Sequence, residues 1–296
     1  MVNAHLTTKP DTRIGQGRTA EVFAWGESRA LKLYHEGWPA AAAEAEYQKA
    51  EAVFKSGAPA PAVDGVVQVD GRHGVIFERV DGSSLLGHTT SHPWAILWSA
   101  HTMAELHARM HACQPAGLPA QRERLTQKIR EARPLPDTLK QVALEALAQL
   151  PEDTVLCHGD FHPDNIVLSA RGPIILDWTD ATLGHPLADV ARTALLMQHA
   201  AVPPHIPGRW LIETGRALWY RLYLRRYCQL RSISPAQVNS WLLPVAAARL
   251  SEGIPEEEER LLALVERASV KMKIISLPPQ TPETRLRDRR SEPKDR

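Results

Sequence analysis

Cysteine is scarce in this 296-residue chain: Cys113, Cys157 and Cys228 are odd in number and far apart. Their spacing fits neither a zinc site nor a disulfide framework and points to a reducing compartment. No apolar run approaches the roughly 18 residues that a membrane-spanning helix needs. The opening MVNAHLTTKP also lacks the apolar centre of a secretion signal. A cytoplasmic protein with no membrane partner is therefore expected. Excess charge is missing too, since Lys plus Arg number 35 and Asp plus Glu 34, a net of +1. Without a polyelectrolyte bias, nucleic acid is not expected as a partner. The length suffices for one large domain or two smaller ones around a real core.

What is present centres on VLCHGDFHPDNIVLSARGPIILDWTDA, residues 155–181. An apolar lead-in ends at His158-Gly159-Asp160, and a loop through Pro163 delivers Asp164-Asn165. Two β-branched runs, residues 166–168 and 174–176, flank a Ser-Ala-Arg-Gly-Pro turn and read as a hairpin. Asp177 follows the second run, so Asp160, Asn165 and Asp177 are brought near one point. Asn165 and Asp177 are hard oxygen ligands suited to Mg²⁺, and Asp160 is a carboxylate able to accept a proton from a hydroxyl. Taken singly, such Asp-Pro and Asp-Asn loops are ordinary turn chemistry.

His-x-Asp, four residues, Asn, then an Asp at a strand end resembles the phosphoryl-transfer core of the kinase-like fold. The wording HGDFHPDN and ILDWTDA is similar to the aminoglycoside phosphotransferase and choline kinase branch. Protein kinases would carry Arg at Gly159 and Phe-Gly at Trp178-Thr179. The resemblance implies an α+β, two-lobed fold: a small antiparallel-sheet lobe with one helix, then a larger helical lobe. Residues 1–80 would form the nucleotide-binding lobe and 81–275 the catalytic and acceptor-binding lobe. The charged, proline-rich residues 276–296 would be a disordered tail.

The first part of the chain fits that layout. Gly15 and Gly17, in IGQGRTAEVF, can lie over a triphosphate because glycine lets backbone N–H groups approach oxygens closely. A plain hairpin turn explains such a pair as well, and Ala20 replaces the third glycine of the protein-kinase loop. Lys32, in the alternating RALKLY, resembles the strand lysine that holds the α- and β-phosphates. An alanine-rich helix over residues 39–56 follows, with Ala43, Tyr47, Ala50 and Phe54 as its packing stripe. Glu46 borders that stripe, and an inward carboxylate needs a partner; Lys32 is the one chosen, with Glu46 preferred over Glu44. Strands are expected at residues 66–69 and 75–80, joined by Asp70-Gly71-Arg72-His73-Gly74. The chain then passes between lobes at IFERVDG, where the resemblance places adenine-reading backbone at Glu78 and Val80.

Beyond residue 81 the pattern is helical, over residues 94–113, 122–132, 137–150, 207–231, 235–251 and 255–272. His101, His107 and His111 share the first of these. Only the last two stand at i and i+4, and core or surface histidines are favoured over a metal site. Asp189, near a helix start, is read as bracing the catalytic loop.

Three functions fit in principle. A small-molecule kinase would use ATP (or GTP) and Mg²⁺: Asp160 catalytic, His162 assisting or bracing the loop, Asn165 and Asp177 on the metal, Lys32 on the phosphates. A metallophosphatase is the weaker reading because further His and Asp clusters are missing. A non-catalytic nucleotide-binding regulator would not need Asp160. For the acceptor, a hydroxylated small molecule, residues 192–270 hold ten arginines against seven glutamates and no aspartate. Tyr220, Arg221, Tyr223, Arg225, Arg226 and Tyr227 interleave aromatic and guanidinium groups, which points to a neutral or anionic acceptor.

Overall fold

The structure, a computed structural model, describes residues 12–199 and 209–276. Residues 1–11 and 277–296, including nearly all of the expected tail, lie outside the described residues.

Five antiparallel strands open the chain: β1 (Arg13–Gln16), β2 (Ala20–Trp25), β3 (Arg29–Tyr34), β4 (Val63–Val69) and β5 (Arg72–Glu78), in the order β1-β2-β3-β5-β4. Helix α1 (Ala40–Lys55) joins β3 to β4 and covers one face of this sheet. Alternation along β3 decides which side chains face it. Leu31 and Leu33 pack with Val69 and Ile76 on the far face. Tyr34 packs with Ala43 and Val75 beneath α1. Lys32 shares the face of Tyr34, so its ammonium is delivered toward the helix and not into solvent.

Two expectations for this lobe need correction. The buried residues of α1 are Ala43, Glu46, Ala50 and Val53, while Phe54 is 43% exposed. The inward stripe is thus rotated by one residue, toward Glu46 rather than Phe54. The β4–β5 connection is also shorter than the five residues read as a loop. Asp70 and Gly71 both take positive φ, 49° and 79°, which makes a tight two-residue hairpin, and pairing resumes at Arg72.

The chain leaves the sheet through Arg79–Gly82. At Gly82, φ is 156°, and a Cβ would collide with the Leu168 carbonyl; only glycine lets the crossing lie against the catalytic hairpin. The helical part follows as β6 (Ser83–Ser84), α2 (Leu85–Ser91), α3 (Ile96–Met110), α4 (Gln121–Glu131) and α5 (Asp137–Gln149). Next come β7 (Val155–Cys157), β8 (Ile166–Ser169), β9 (Gly172–Ile175) and β10 (Thr182–Gly184). The chain continues as α6 (Pro186–His199), α7 (Arg209–Arg231), α8 (Pro235–Asn239), α9 (Leu242–Arg249) and α10 (Pro255–Ser276). β8 and β9 form the expected hairpin, with β6 at its side, and β10 pairs with β7.

One continuous apolar core, from Val53 on α1 to Val265 on α10, supports these pieces. The helix expected over residues 235–251 is broken into α8 and α9 around Ser240-Trp241. Pro244 is the third residue of α9, and proline is tolerated only in a first helical turn, where its missing N–H has no intrahelical partner. Trp241, buried at the break, stacks on His185 at 4.9 Å.

Candidate active site

The cleft between sheet and helices holds a compact charged cluster. Lys32 Nζ lies 2.6 Å from Glu46 Oε1, 2.9 Å from Asp177 Oδ1 and 3.1 Å from the Thr179 hydroxyl. Tyr34 OH donates to the other Glu46 oxygen, and Thr179 donates to Asp177 Oδ1 at 2.7 Å. Burial disfavours the Lys32 ammonium, but the charges of Glu46 and Asp177 outweigh it and hold the pKa above the usual lysine value. Lys32 is therefore a fixed cation at neutral pH.

Asp177 sits just after β9 in the left-handed region, φ 58° and ψ 69°. A non-glycine residue there costs on the order of 1–2 kcal/mol. The neighbouring Trp178 pins it: its ring is buried, its Nε1 donates to Ile175 O at 2.9 Å, and it lies 4.6 Å from the His158 ring. Burial raises the Asp177 carboxyl, but Lys32 and the Thr179 hydroxyl reverse the shift and lower it.

The loop carrying Asp160 is held by four hydrogen bonds to backbone atoms. His158 Nε2 donates to Leu176 O at 2.9 Å, and its Nδ1 accepts from the Asp160 N–H at 3.2 Å. Asn165 Nδ2 donates to Asp160 O at 3.0 Å. Leu176 N donates to Asn165 O at 2.8 Å. Asp160, Asn165 and Asp177 are thus tied together by the atoms beside them. Gly159, at φ 80°, could not be replaced cheaply, since a Cβ would approach Asp180 O to 2.7 Å.

Burial raises the Asp160 carboxyl, yet the net shift is downward because His162 and Arg192 stabilise the anion. His162 Nε2 stands 3.5 Å from Asp160 Oδ2, and Arg192 Nη2 stands 3.6 Å from Oδ1. Arg192 Nε also donates to Gly159 O at 3.1 Å. Asp160 is consequently an anion that can orient a hydroxyl and take its proton late.

Behind the loop, Asp189 accepts from His158 N at 2.7 Å and Gly159 N at 2.8 Å. His107 and His111 add Nε2 contacts of 3.1 and 3.4 Å, and their Nδ1 atoms meet Tyr223 OH at 2.6 Å and Tyr227 OH at 2.7 Å. The two histidines and Asp189 offer ligand atoms within 4.8 Å of one another. An ion there would have to compete with the two backbone N–H groups, so the arrangement is a clamp on the loop. Burial drives the His107 imidazole down to about 3, so it stays neutral. The same contacts correct one expectation: Tyr223 and Tyr227 are fully buried and Arg226 pairs with Glu105, so this stretch is no aromatic–guanidinium surface for an acceptor.

Of the other anticipated positions, Gly15 lies in β1 and Gly17 closes the β1–β2 turn through its N–H to Ala20 O at 2.8 Å. Neither has a positive φ. The Glu78 carboxylate accepts from Ala62 N at 3.1 Å and from Arg171 at 2.7 Å, and Val80 is half-buried just beyond it. These four take no part in the Lys32 cluster. Sequence reasoning missed Thr179, Arg192 and Lys49, whose Nζ donates to Thr179 O at 2.6 Å. For Arg192 a signal existed: it lies three residues after Asp189 on α6, hence on the same helix face.

With this geometry in place, the comparisons with known proteins are informative. A sequence profile of the phosphotransferase enzyme family matches residues 12–241. The chain belongs to that family. Its architecture is the protein-kinase-like fold. A thermostable mutant of aminoglycoside phosphotransferase APH(4)-Ia superposes with a TM-score of 0.59 at 17% identity, covering 88% of this chain and 94% of that one. A choline/ethanolamine kinase family protein from Mesorhizobium loti gives 0.56 at 16%, covering 95% and 92%. At such identities these likenesses speak for the fold alone. Among curated relatives, acyl-CoA dehydrogenase family member 11 is 34% identical over 115 residues in Mus musculus, or 36% of this chain, and 32% over 108 residues, or 34%, in Homo sapiens. The chain spans 14% of the length of these relatives.

Proposed function

We propose that this chain is a phosphotransferase that moves the γ-phosphoryl group of ATP, or GTP, to a hydroxyl of a small molecule in a Mg²⁺-dependent reaction. The observation that carries the reading is the Lys32–Glu46–Asp177 cluster facing Asp160 and Asn165 across one cleft. Phosphoryl transfer asks mainly for positioning and charge neutralisation. Lys32, held by Glu46, is the cation for the α- and β-phosphates, and the backbone of Gly15 and Gly17 covers them. Backbone groups at Glu78 and Val80 border the base. A solved relative, APH(4)-Ia, is described in complex with ADP and hygromycin B, which favours a nucleotide donor and a small acceptor.

The donor set fits a hard cation. Asn165 spends its amide N–H on Asp160 O, which leaves its amide oxygen for a ligand role beside the Asp177 carboxylate. Magnesium bound there would neutralise charge on the phosphate oxygens. Asp160 hydrogen-bonds the acceptor hydroxyl, whose oxygen attacks the γ-phosphorus. The bond from phosphorus to the bridging oxygen breaks, ADP departs with that oxygen, and the hydroxyl proton passes to Asp160 and on to solvent. His162 and Arg192 keep Asp160 ionised until that moment.

The test is transfer of label from γ-labelled ATP into a pool of fractionated metabolites, with Mg²⁺ and with EDTA. A labelled phosphomonoester formed only with Mg²⁺ supports the reading. Nucleotide binding without transfer would instead favour a binding-only regulator.

A further inference from the structure

The three residues after Asp177 are gripped by three different parts of the fold. Trp178 is fastened to the large core through Ile175 O and the His158 ring. Asp180 is held by Arg124 of α4. Thr179 is held by α1, the helix of the small lobe. Its hydroxyl lies 3.0 Å from Glu46 Oε1, and its carbonyl accepts from Lys49 Nζ at 2.6 Å. Residues 178–180 are therefore a place where the sheet lobe and the helical lobe are tied together.

Glu46 and Lys49 stand three apart on α1 and so share a face. One takes the side chain of Thr179 and the other its backbone. Two fixed points set an orientation, where one would set only a distance. Charge balance does not explain the lysine: among the described residues no carboxylate is in ion-pair contact with its half-buried ammonium. Burial and the nearby Arg124 lower its pKa. Burying a charge is costly without a strong hydrogen bond, and a bond from an ammonium is of the stronger kind. The Thr179 carbonyl is what this side chain is placed for.

Asp177 depends on that grip. It sits at φ 58°, a conformation that persists only where its surroundings over-determine it. On one side it is fixed by β9 and by the bond from Leu176 N to Asn165 O. On the other, Lys49 fixes it two residues away, through the main chain of Thr179. Loss of the Lys49 ammonium would leave Lys32 on Glu46 at 2.6 Å, and so would spare the cation for the phosphates.

We propose that Lys49 is a positioning residue: through the Thr179 carbonyl it holds Asp177 in the attitude that binds the metal, and so couples α1 to the metal half of the site. It acts through Thr179, not by contact with the nucleotide. This rests on the kinase reading above and extends it by one residue.

Two measurements on the intact chain test the proposal. In the first, AMP-PNP affinity is measured by calorimetry in EDTA and in Mg²⁺. Lys49→Met should match the wild type in EDTA within about twofold, yet lose about 10-fold of the tightening that Mg²⁺ brings, the order expected for a residue that steadies a metal ligand. Lys49→Arg, which keeps a donor on a long side chain, should restore the tightening. Full tightening in Lys49→Met, or an equal loss in EDTA, would overturn the proposal. Absence of Mg²⁺ tightening in the wild type would count against the kinase reading itself, and the second measurement then decides on Lys49 alone. It needs no ligand. Hydrogen exchange is followed at Ala181, whose N–H donates to Trp178 O at 3.0 Å. It should be about 10-fold faster in Lys49→Met and return to the wild-type rate in Lys49→Arg, with the β4–β5 hairpin unchanged. An unchanged rate at Ala181 would overturn the proposal. So would faster exchange everywhere, hairpin included, since Lys49 would then serve general stability.

Discussion

Asp160 and Asp189 are joined through one short piece of backbone, yet they live in different surroundings. The Asp160 side chain is 31% exposed, and its two oxygens have only long contacts, from His162 and Arg192. Asp189 is 1% exposed and takes four donors, two from backbone N–H groups and two from imidazoles. Both are held as anions, by different means. Burial opposes ionisation in each case and is overcome at Asp160 by His162 and Arg192, at Asp189 by His107 and His111. A saturated, dry carboxylate serves as a fastener, whereas one with unused lone pairs facing a cleft is available to a substrate. The difference between scaffold and chemistry lies in what each oxygen still has left to bind.

The comparison breaks if the two positions respond alike to substitution. Asp189→Ala strands two backbone N–H groups and two buried imidazoles, and should cost about 3–5 kcal/mol of stability in urea unfolding. A loss below ~1 kcal/mol would show that the clamp is not needed. On the open side, Asp177→Ala should remove the Mg²⁺-dependent tightening of ATP binding, at least ~10-fold by calorimetry. Asn165→Ala should lower it less, since a neutral amide contributes less charge; equal effects, or none, would place the metal elsewhere.

Acid separates the two regions further. His107, lowered to about 3, and His111, also lowered by burial, stay neutral in the fold and are protonated when unfolded. The unfolded chain then binds more protons below pH 6.5, so stability should fall as the pH drops below 6.5, by up to roughly 1.4 kcal/mol per pH unit down toward pH 3 for His107, with His111 adding in the same direction. Glu252, lowered to about 2 because Arg192, Arg249 and Lys128 outweigh its burial, keeps its full contribution above pH 4.5 and loses it toward pH 2. Urea midpoints at pH 7.5 and 5.5 isolate the histidine part; an unchanged midpoint would mean that the clamp is not built on neutral imidazoles. The smallest effect belongs to Tyr223→Phe. Removing its hydrogen bond to His107 should cost ~1–2 kcal/mol of stability and leave the KM for ATP unchanged, whereas a large KM change would move Tyr223 to the substrate side.

Much of this was legible in the order of residues. The spacing of His158, Asp160, Asn165 and Asp177 announced the site, and Glu46 was readable because an inward carboxylate on a helix demands a cation. Phe54 and the break between α8 and α9 were not, since helical period alone does not fix which edge of a stripe meets the sheet. Tyr223 and Tyr227 misled for a related reason: a Tyr–Arg alternation looks the same whether the phenols face solvent or the histidines of α3. Lys49 reaches Thr179 from a distant part of the chain, and no local pattern pairs them; Arg192 could have been read only from its place three residues after Asp189 on α6.

The most direct test is the rate of phosphoryl transfer by Asp160→Asn. The side chain keeps its size, so the Tm and AMP-PNP affinity should stay close to those of the wild type, while transfer falls by a factor of ~10²–10⁴. A folded, nucleotide-binding Asp160→Asn protein that transfers within about threefold of the wild-type rate would contradict the assignment of Asp160 to the chemistry.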